Sequence, residues 1–181
     1  MLFAETDLAG AYLIEIEPLV DERGFFARTF DEEEFRSHEL SSCLIQASVS
    51  FNPIKGTLRG MHFQADPYPE AKLVRCTRGA IHDVIVDLRP ESATNKHWVG
   101  VELSAENHKM LYVPEHFAHG FATLEDDTEV AYQMSERYSP GASRGVRWDD
   151  PAFSIDWPIG VAVISERDRA WPDYSLKAGL A

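Results

Sequence analysis

The sequence predicts an all-β protein, a jelly-roll barrel with one short helix and a C-terminal tail wrapped over it. Three observations carry this. Short apolar–polar alternating runs recur through most of the 181 residues, broken by Gly, Pro and Asn turns. A single stretch near residue 31 reads as a helix, and one helix cannot supply the crossovers of a parallel sheet. After Pro140 the periodicity fades while Trp148, Phe153, Trp157 and Trp171 accumulate, which suits a covering segment. Many short strands with frequent turns then leave a sandwich or closed barrel.

Tyr12 to Glu17 alternates and gives the first strand. Pro18 to Gly24 is polar and reads as a connection, with Phe25 to Phe30 a second strand. Asp31 caps a helix running to about Leu40, and Glu34 completes a capping-box pair. Glu32, Glu33 and Glu34 suit the positive end of that helix and need no ligand to explain them. Strands are expected over Leu44–Phe51, Leu58–Phe63, Lys72–Arg78, Ala80–Leu88, Trp98–Leu103, Met110–Val113, Gly120–Leu124 and Thr128–Arg137. Parity puts Val84, Val86 and Leu88 on one face, and likewise Val99, Val101 and Leu103. No repeat, low-complexity run or linker divides the chain, so residues 1–181 are expected to form one domain.

Thirty acidic against seventeen basic side chains give a net charge of −13. That argues against a general nucleic-acid binder, which needs a basic face. No run approaches the roughly 18 apolar residues of a membrane span, and Met1 to Gly10 does not read as a signal peptide. Cys43 and Cys76 lack metal or redox spacing and are expected to be buried, reduced thiols of a cytoplasmic protein.

The chemistry concentrates in Gly56-Thr57-Leu58-Arg59-Gly60-Met61-His62-Phe63-Gln64. Arg59 is a fork of fixed positive donors suited to phosphate oxygens. His62 is the side-chain type that gains and loses a proton near neutrality. In a regular strand the two point to opposite faces, so Gly60 is expected to allow a bulge that turns both inward. Lys72 opens a strand and suits an oxyanion. Tyr132 shares a face with Val130 and Met134 and is aimed at the interior. A plain packing reading stands beside each of these: a hydrogen-bonded core histidine, a surface arginine, a buried tyrosine. His116 and His119 have ligand-like spacing, but the usual close pair with a carboxylate is missing beside His62. His38, His97 and His108 lie among polar residues and read as surface groups.

Ordered blocks along nearly the whole chain resemble the dTDP-4-dehydrorhamnose 3,5-epimerase family. They are Asp21-Glu22-Arg23-Gly24-Phe25-Phe26, Gln46 through Gln64, Lys72-Leu73-Val74-Arg75 and Val84-Ile85-Val86-Asp87-Leu88-Arg89. Val113-Pro114-Glu115, His119-Gly120-Phe121, Arg144 through Pro151 and Ser165-Glu166-Arg167-Asp168 follow. The resemblance implies a double-stranded β-helix, a cupin-like jelly roll, acting as a homodimer without metal or organic cofactor. It implies a nucleotide-diphosphate sugar as substrate, dTDP-4-dehydro-6-deoxy-glucose, epimerised at C3 and C5.

On matching positions His62 would be the base, Asp168 its orienting carboxylate, Lys72 the enolate partner and Tyr132 the acid on the other face. Arg59 and Gln46 would contact the diphosphate or nucleotide, and Tyr138 would stack on the base. His119, Phe121 and Arg167 would belong to the same substrate pocket. Arg23 would reach over from the partner subunit. Three positions depart from the commonest family pattern: Ser48 for Asn, Arg28 for Glu and Ser143 for Glu. All three would lie at the nucleotide or phosphate end. A relative using another nucleotide, or inverting one carbon only, stays open, as do a non-catalytic sugar binder and a metal-dependent cupin.

Overall fold

The computed structural model describes residues 1–174. Two six-stranded sheets face one another, assembled from strands far apart in sequence. The first half of the chain gives β1 (Leu2–Glu5), β2 (Tyr12–Glu15), a hairpin of β3 (Leu19–Asp21) and β4 (Gly24–Phe26), α1 (Glu32–Ser37), β5 (Gln46–Asn52), β6 (Thr57–Gln64), β7 (Lys72–Arg78) and β8 (Ala80–Asp87). The second half gives β9 (Trp98–Ser104), β10 (Met110–Val113), β11 (Phe117–Thr123), β12 (Thr128–Met134), β13 (Ser143–Gly145), β14 (Val163–Ile164) and α2 (Glu166–Arg169). One sheet runs β1-β2-β10-β7-β12-β5. The other runs β13-β6-β11-β8-β9, with β14 added alongside β6. Only the β14–β6 pairing is parallel among those described, which is the jelly-roll arrangement the sequence predicts.

Three apolar layers hold the sheets. Between them lie Val74, Cys76, Ile81, Ile85, Leu103, Leu111, Phe121 and Val130, with Val99 and Val101 packed against the cluster. On the outer face of the first sheet, Ile14, Leu73 and Met110 meet Phe35 of α1 and Phe3. On the outer face of the second, Met61, Phe63, Val84, Val86 and Leu88 meet Val146, Phe153 and Trp157 of the C-terminal segment. The expected tail is therefore real, and its aromatics close a core rather than a ligand site.

Several boundaries differ from expectation. Leu2–Glu5 forms β1 by pairing with β2, although it carries no alternation to announce a strand. The expected connection Pro18–Gly24 contains β3, and the expected strand Phe25–Phe30 stops at Phe26, because the hairpin pairs only with itself. The helix ends at Ser37 rather than Leu40. Asp31 caps it as expected by accepting from the Glu33 and Glu34 amides. Glu34 does not complete the box: its carboxylate holds the Met1 ammonium at 2.8 Å. β11 starts three residues before Gly120, and β12 ends at Met134 rather than Arg137. Cys76 is buried, but Cys43 is exposed, against expectation. His97 and His108 are exposed, whereas His38 is half-buried and stacks on Phe3 at 4.0 Å.

Candidate active site

The open end between the two sheets holds a cavity of about 870 Å³. Strands β5, β6, β7, β11 and β12 wall it, and the β14–α2 segment closes one side. Apart from Arg23 and Arg28, every residue named above as a site candidate lines it: Gln46, Ser48, Arg59, His62, Lys72, His119, Phe121, Tyr132, Tyr138, Ser143, Arg167 and Asp168.

A bulge in β6 explains how Arg59 and His62 share the cavity. His119 pairs with His62 and Phe121 with Arg59, so two steps along β11 span three along β6. Gly60 is the extra residue. Its φ is +147°, and a Cβ there would lie 2.6 Å from the Gly120 Cα. Only paired glycines let the two backbones approach so closely. The irregularity required by the sequence reading is present at the expected residue.

His62 Nε2 sits 2.6 Å from Asp168 Oδ1. The imidazole is 40% exposed while the carboxylate is nearly enclosed. Burial by itself would raise the Asp168 carboxyl. The hydrogen bond and charge of His62, with the Gly60 amide and Ser165, outweigh it and hold the group below its ordinary value. An ionised carboxylate only accepts, so Nε2 carries hydrogen, and in the neutral imidazole Nδ1 keeps the free lone pair. Asp168 arrives on α2, whose first turn is capped by the Ser165 side chain accepting from the Asp168 amide. That turn is pinned where Trp171 packs on Gly145, the residue paired with His62 on β13.

Lys72 begins β7 and is buried. Its Nζ donates to the His62 carbonyl at 3.3 Å and lies 3.1 Å from Glu70 Oε1. Tyr132 faces inward with Val130, and its hydroxyl is 3.2 Å from Ser50 Oγ. Burial pushes the phenol strongly upward, with only partial relief from the Ser50 bond, so it stays protonated at working pH. His119 stands across from His62, bonded through Nε2 to Asp83 Oδ1 at 2.7 Å, and its ring meets Tyr132 edge-on. Arg59 Nε donates to the buried Asn52 Oδ1 at 2.7 Å, which fixes the guanidinium at the cavity wall. Arg167 donates to Ser143 Oγ at 2.8 Å and lies over the Trp171 ring. The Gln46 carboxamide accepts from the Tyr138 amide at 3.0 Å.

Two candidates lie elsewhere. Arg23 is 83% exposed on the β3–β4 turn and forks onto Asp21. Arg28 is exposed and faces Asp31 at 3.3 Å, outside this chain's own cavity. The structure does not bring His116 and His119 together: the first lines a separate depression. Among the described residues no group of three or more His, Cys, Asp or Glu is close enough to hold a metal ion. Sequence reasoning missed Asp83, Glu70, Asn52 and Ser50. Asp83 had a signal: a carboxylate on the inward parity of an apolar strand requires a buried partner.

The cavity thus gathers a base-competent imidazole, a protonated phenol, an ammonium and two guanidinium groups. The family model for dTDP-4-dehydrorhamnose 3,5-epimerase matches residues 5–175. The chain is 46% identical over 172 residues to the dTDP-4-dehydrorhamnose 3,5-epimerase of Methanothermobacter thermautotrophicus, covering 93% of this chain and 92% of that one. It superposes on the Bacillus anthracis dTDP-4-dehydrorhamnose 3,5-epimerase, solved with TDP and PPi bound, with a TM-score of 0.92 at 40% identity, covering 96% of this chain and 99% of that one. ChmJ, a 3'-monoepimerase from Streptomyces bikiniensis solved with dTDP-quinovose, gives 0.84 at 31% identity, covering 96% and 87%. Sequence, fold and the contents of the cavity agree, and the chain belongs to the dTDP-4-dehydrorhamnose 3,5-epimerase family.

Proposed function

We propose that this protein converts dTDP-4-dehydro-6-deoxy-glucose to dTDP-4-dehydro-L-rhamnose by inverting C3 and C5. The observation that carries the reading is the convergence of His62–Asp168, Lys72 and Tyr132 on one cavity. The C4 ketone acidifies the hydrogens on C3 and C5. His62 Nδ1 takes one of them, and the C–H electron pair moves into the ring as an enolate whose charge rests on the C4 oxygen. The Lys72 ammonium holds that oxygen. The Tyr132 phenol then protonates the carbon from the opposite face, which inverts it. Solvent must take the proton from His62 and return one to Tyr132 before the second carbon reacts. Asp168 keeps the lone pair of the neutral imidazole on Nδ1 before the transfer and stabilises the imidazolium after it.

Arg59 and Arg167 bind the diphosphate, with Gln46, Ser48, Tyr138 and Ser143 around the nucleoside and His119 and Phe121 around the sugar. Residues 1–181 act as one domain and pair as a homodimer. The β3–β4 hairpin supports this: Leu19, Val20 and Phe26 are 71%, 77% and 73% exposed, a patch that a partner would cover. Arg23 at its tip has no role in its own cavity and reaches the partner's.

Purified protein incubated with the 4-keto sugar nucleotide is expected to yield the doubly inverted product. Inversion at C3 alone would make it a single-site epimerase instead, and unchanged substrate would overturn the reading. Lys72→Ala is expected to lower kcat by about 10²–10³-fold while leaving the fold intact, the usual cost of losing an oxyanion donor.

A further inference from the structure

We infer that Glu70 is a positioning residue for the reaction, acting through Lys72. Its side chain is 11% exposed, lines the cavity and lies 3.1 Å from the Lys72 ammonium, itself 10% exposed. A carboxylate this enclosed is costly unless it is paired, and so is the ammonium. An ammonium has three hydrogens to donate. One goes to the His62 carbonyl, and the Glu70 carboxylate pairs with the ammonium charge from 3.1 Å. One hydrogen bond and one charge partner together hold the ammonium in place on its flexible four-carbon stem, leaving its remaining hydrogens for the enolate oxygen. The His62 carbonyl ties the same ammonium to the strand that carries the base, so donor and base keep a fixed separation. Glu70 lies two residues before the start of β7, and the Ala71 amide and carbonyl between them are both held by Ser135, which fixes the approach of the carboxylate.

This rests on the reading of Lys72 as the group that holds the enolate oxygen. If Glu70 works only by aiming that ammonium, its removal matters when Lys72 is present and not otherwise. Four proteins separate the possibilities: wild type, Glu70→Gln, Lys72→Ala and the double variant, each assayed for kcat and KM with the 4-keto sugar nucleotide. Glu70→Gln is expected to lower kcat roughly tenfold with KM nearly unchanged, as for the loss of a partner that acts through the ammonium rather than on the bound substrate. Glu70→Asp, which keeps the charge, is expected to recover part of that loss. The double variant is expected to match Lys72→Ala.

A double variant slower than Lys72→Ala by the full Glu70→Gln factor would overturn the proposal, since Glu70 would then act independently. So would a Glu70→Gln protein with wild-type kcat, or one whose loss lies entirely in KM. If Lys72→Ala itself turns over normally, the parent reading of Lys72 fails, which is a different result from Glu70 failing alone.

Discussion

The Asp168 carboxyl is held below its ordinary value by the His62 bond in spite of its burial. Its ionised form therefore stabilises the fold at any pH above the ordinary 3.8, and that contribution disappears as pH falls through the lower folded-state value. Asp168→Asn is expected to melt below wild type at neutral pH, with the gap closing in acid. Thermal unfolding between neutrality and strong acid checks this, and a gap that widens in acid would contradict it. Arg59 offers a second test at the same scale. Its guanidinium is aimed by Asn52, which is fully buried and also donates to the Thr128 carbonyl. Arg59→Ala is expected to raise KM by about tenfold or more with a smaller change in kcat, as for a lost charge-assisted contact to an anion. Asn52→Ala should move KM the same way by less. His62, Lys72 and Tyr132, which line one cavity, were legible as candidates in the sequence because proton chemistry needs few residue types. Of their partners, Asp168 came only with the family resemblance and Ser50 was missed. Asp168 lies 106 positions from His62, and Tyr132 lies 82 from Ser50, and no local pattern encodes such distances. Glu70 left a fainter mark: two residues before Lys72, it shares a face in extended chain.

At the level of elements, the short α2 depends on neighbours that only the folded chain supplies. A Cβ on Gly145 would strike the Trp171 ring and lie 2.8 Å from the Met61 carbonyl. Gly145→Ala is expected to push Trp171 and the following turn outward, carrying Asp168 and Arg167 away from His62. A displacement of about 1 Å in such a group costs on the order of 10²-fold in kcat. Steady-state kinetics beside the tryptophan emission spectrum would register both effects. Strands with clean alternation, such as β7, β8 and β12, were readable because each buries one or both faces predictably. Strands β1, β3 and β14 were not. They are two to four residues long and exist by pairing with a neighbour, as β14 does with β6. The bulge at Gly60 was foreseeable only because Arg59 and His62 both needed the same face.

For the whole molecule, the acidic balance of −13 coexists with a cavity that gathers Arg59, Lys72 and Arg167. Net charge therefore says little about the ligand, whereas local convergence of cations says much. The apolar hairpin and the outward Val49 and Phe51 of edge strand β5, 62% and 49% exposed, are where a second copy is expected to pack. Val20→Glu together with Phe26→Glu should convert a dimer to a monomer in sedimentation and lower turnover, since Arg23 would no longer reach the neighbouring cavity. A monomeric wild type with full activity would contradict that assembly.

The opposed placement of imidazole and phenol is tested most directly by solvent deuterium incorporation into the 4-keto sugar nucleotide, in heavy water, with His62→Asn and Tyr132→Phe beside wild type. Wild type should place deuterium on both C3 and C5 with inversion. His62→Asn should place almost none, and Tyr132→Phe should return deuterium from the base side, labelling carbon without inverting it. Inverted, labelled product from Tyr132→Phe at the wild-type rate, or undiminished exchange in His62→Asn, would show that other groups move the protons.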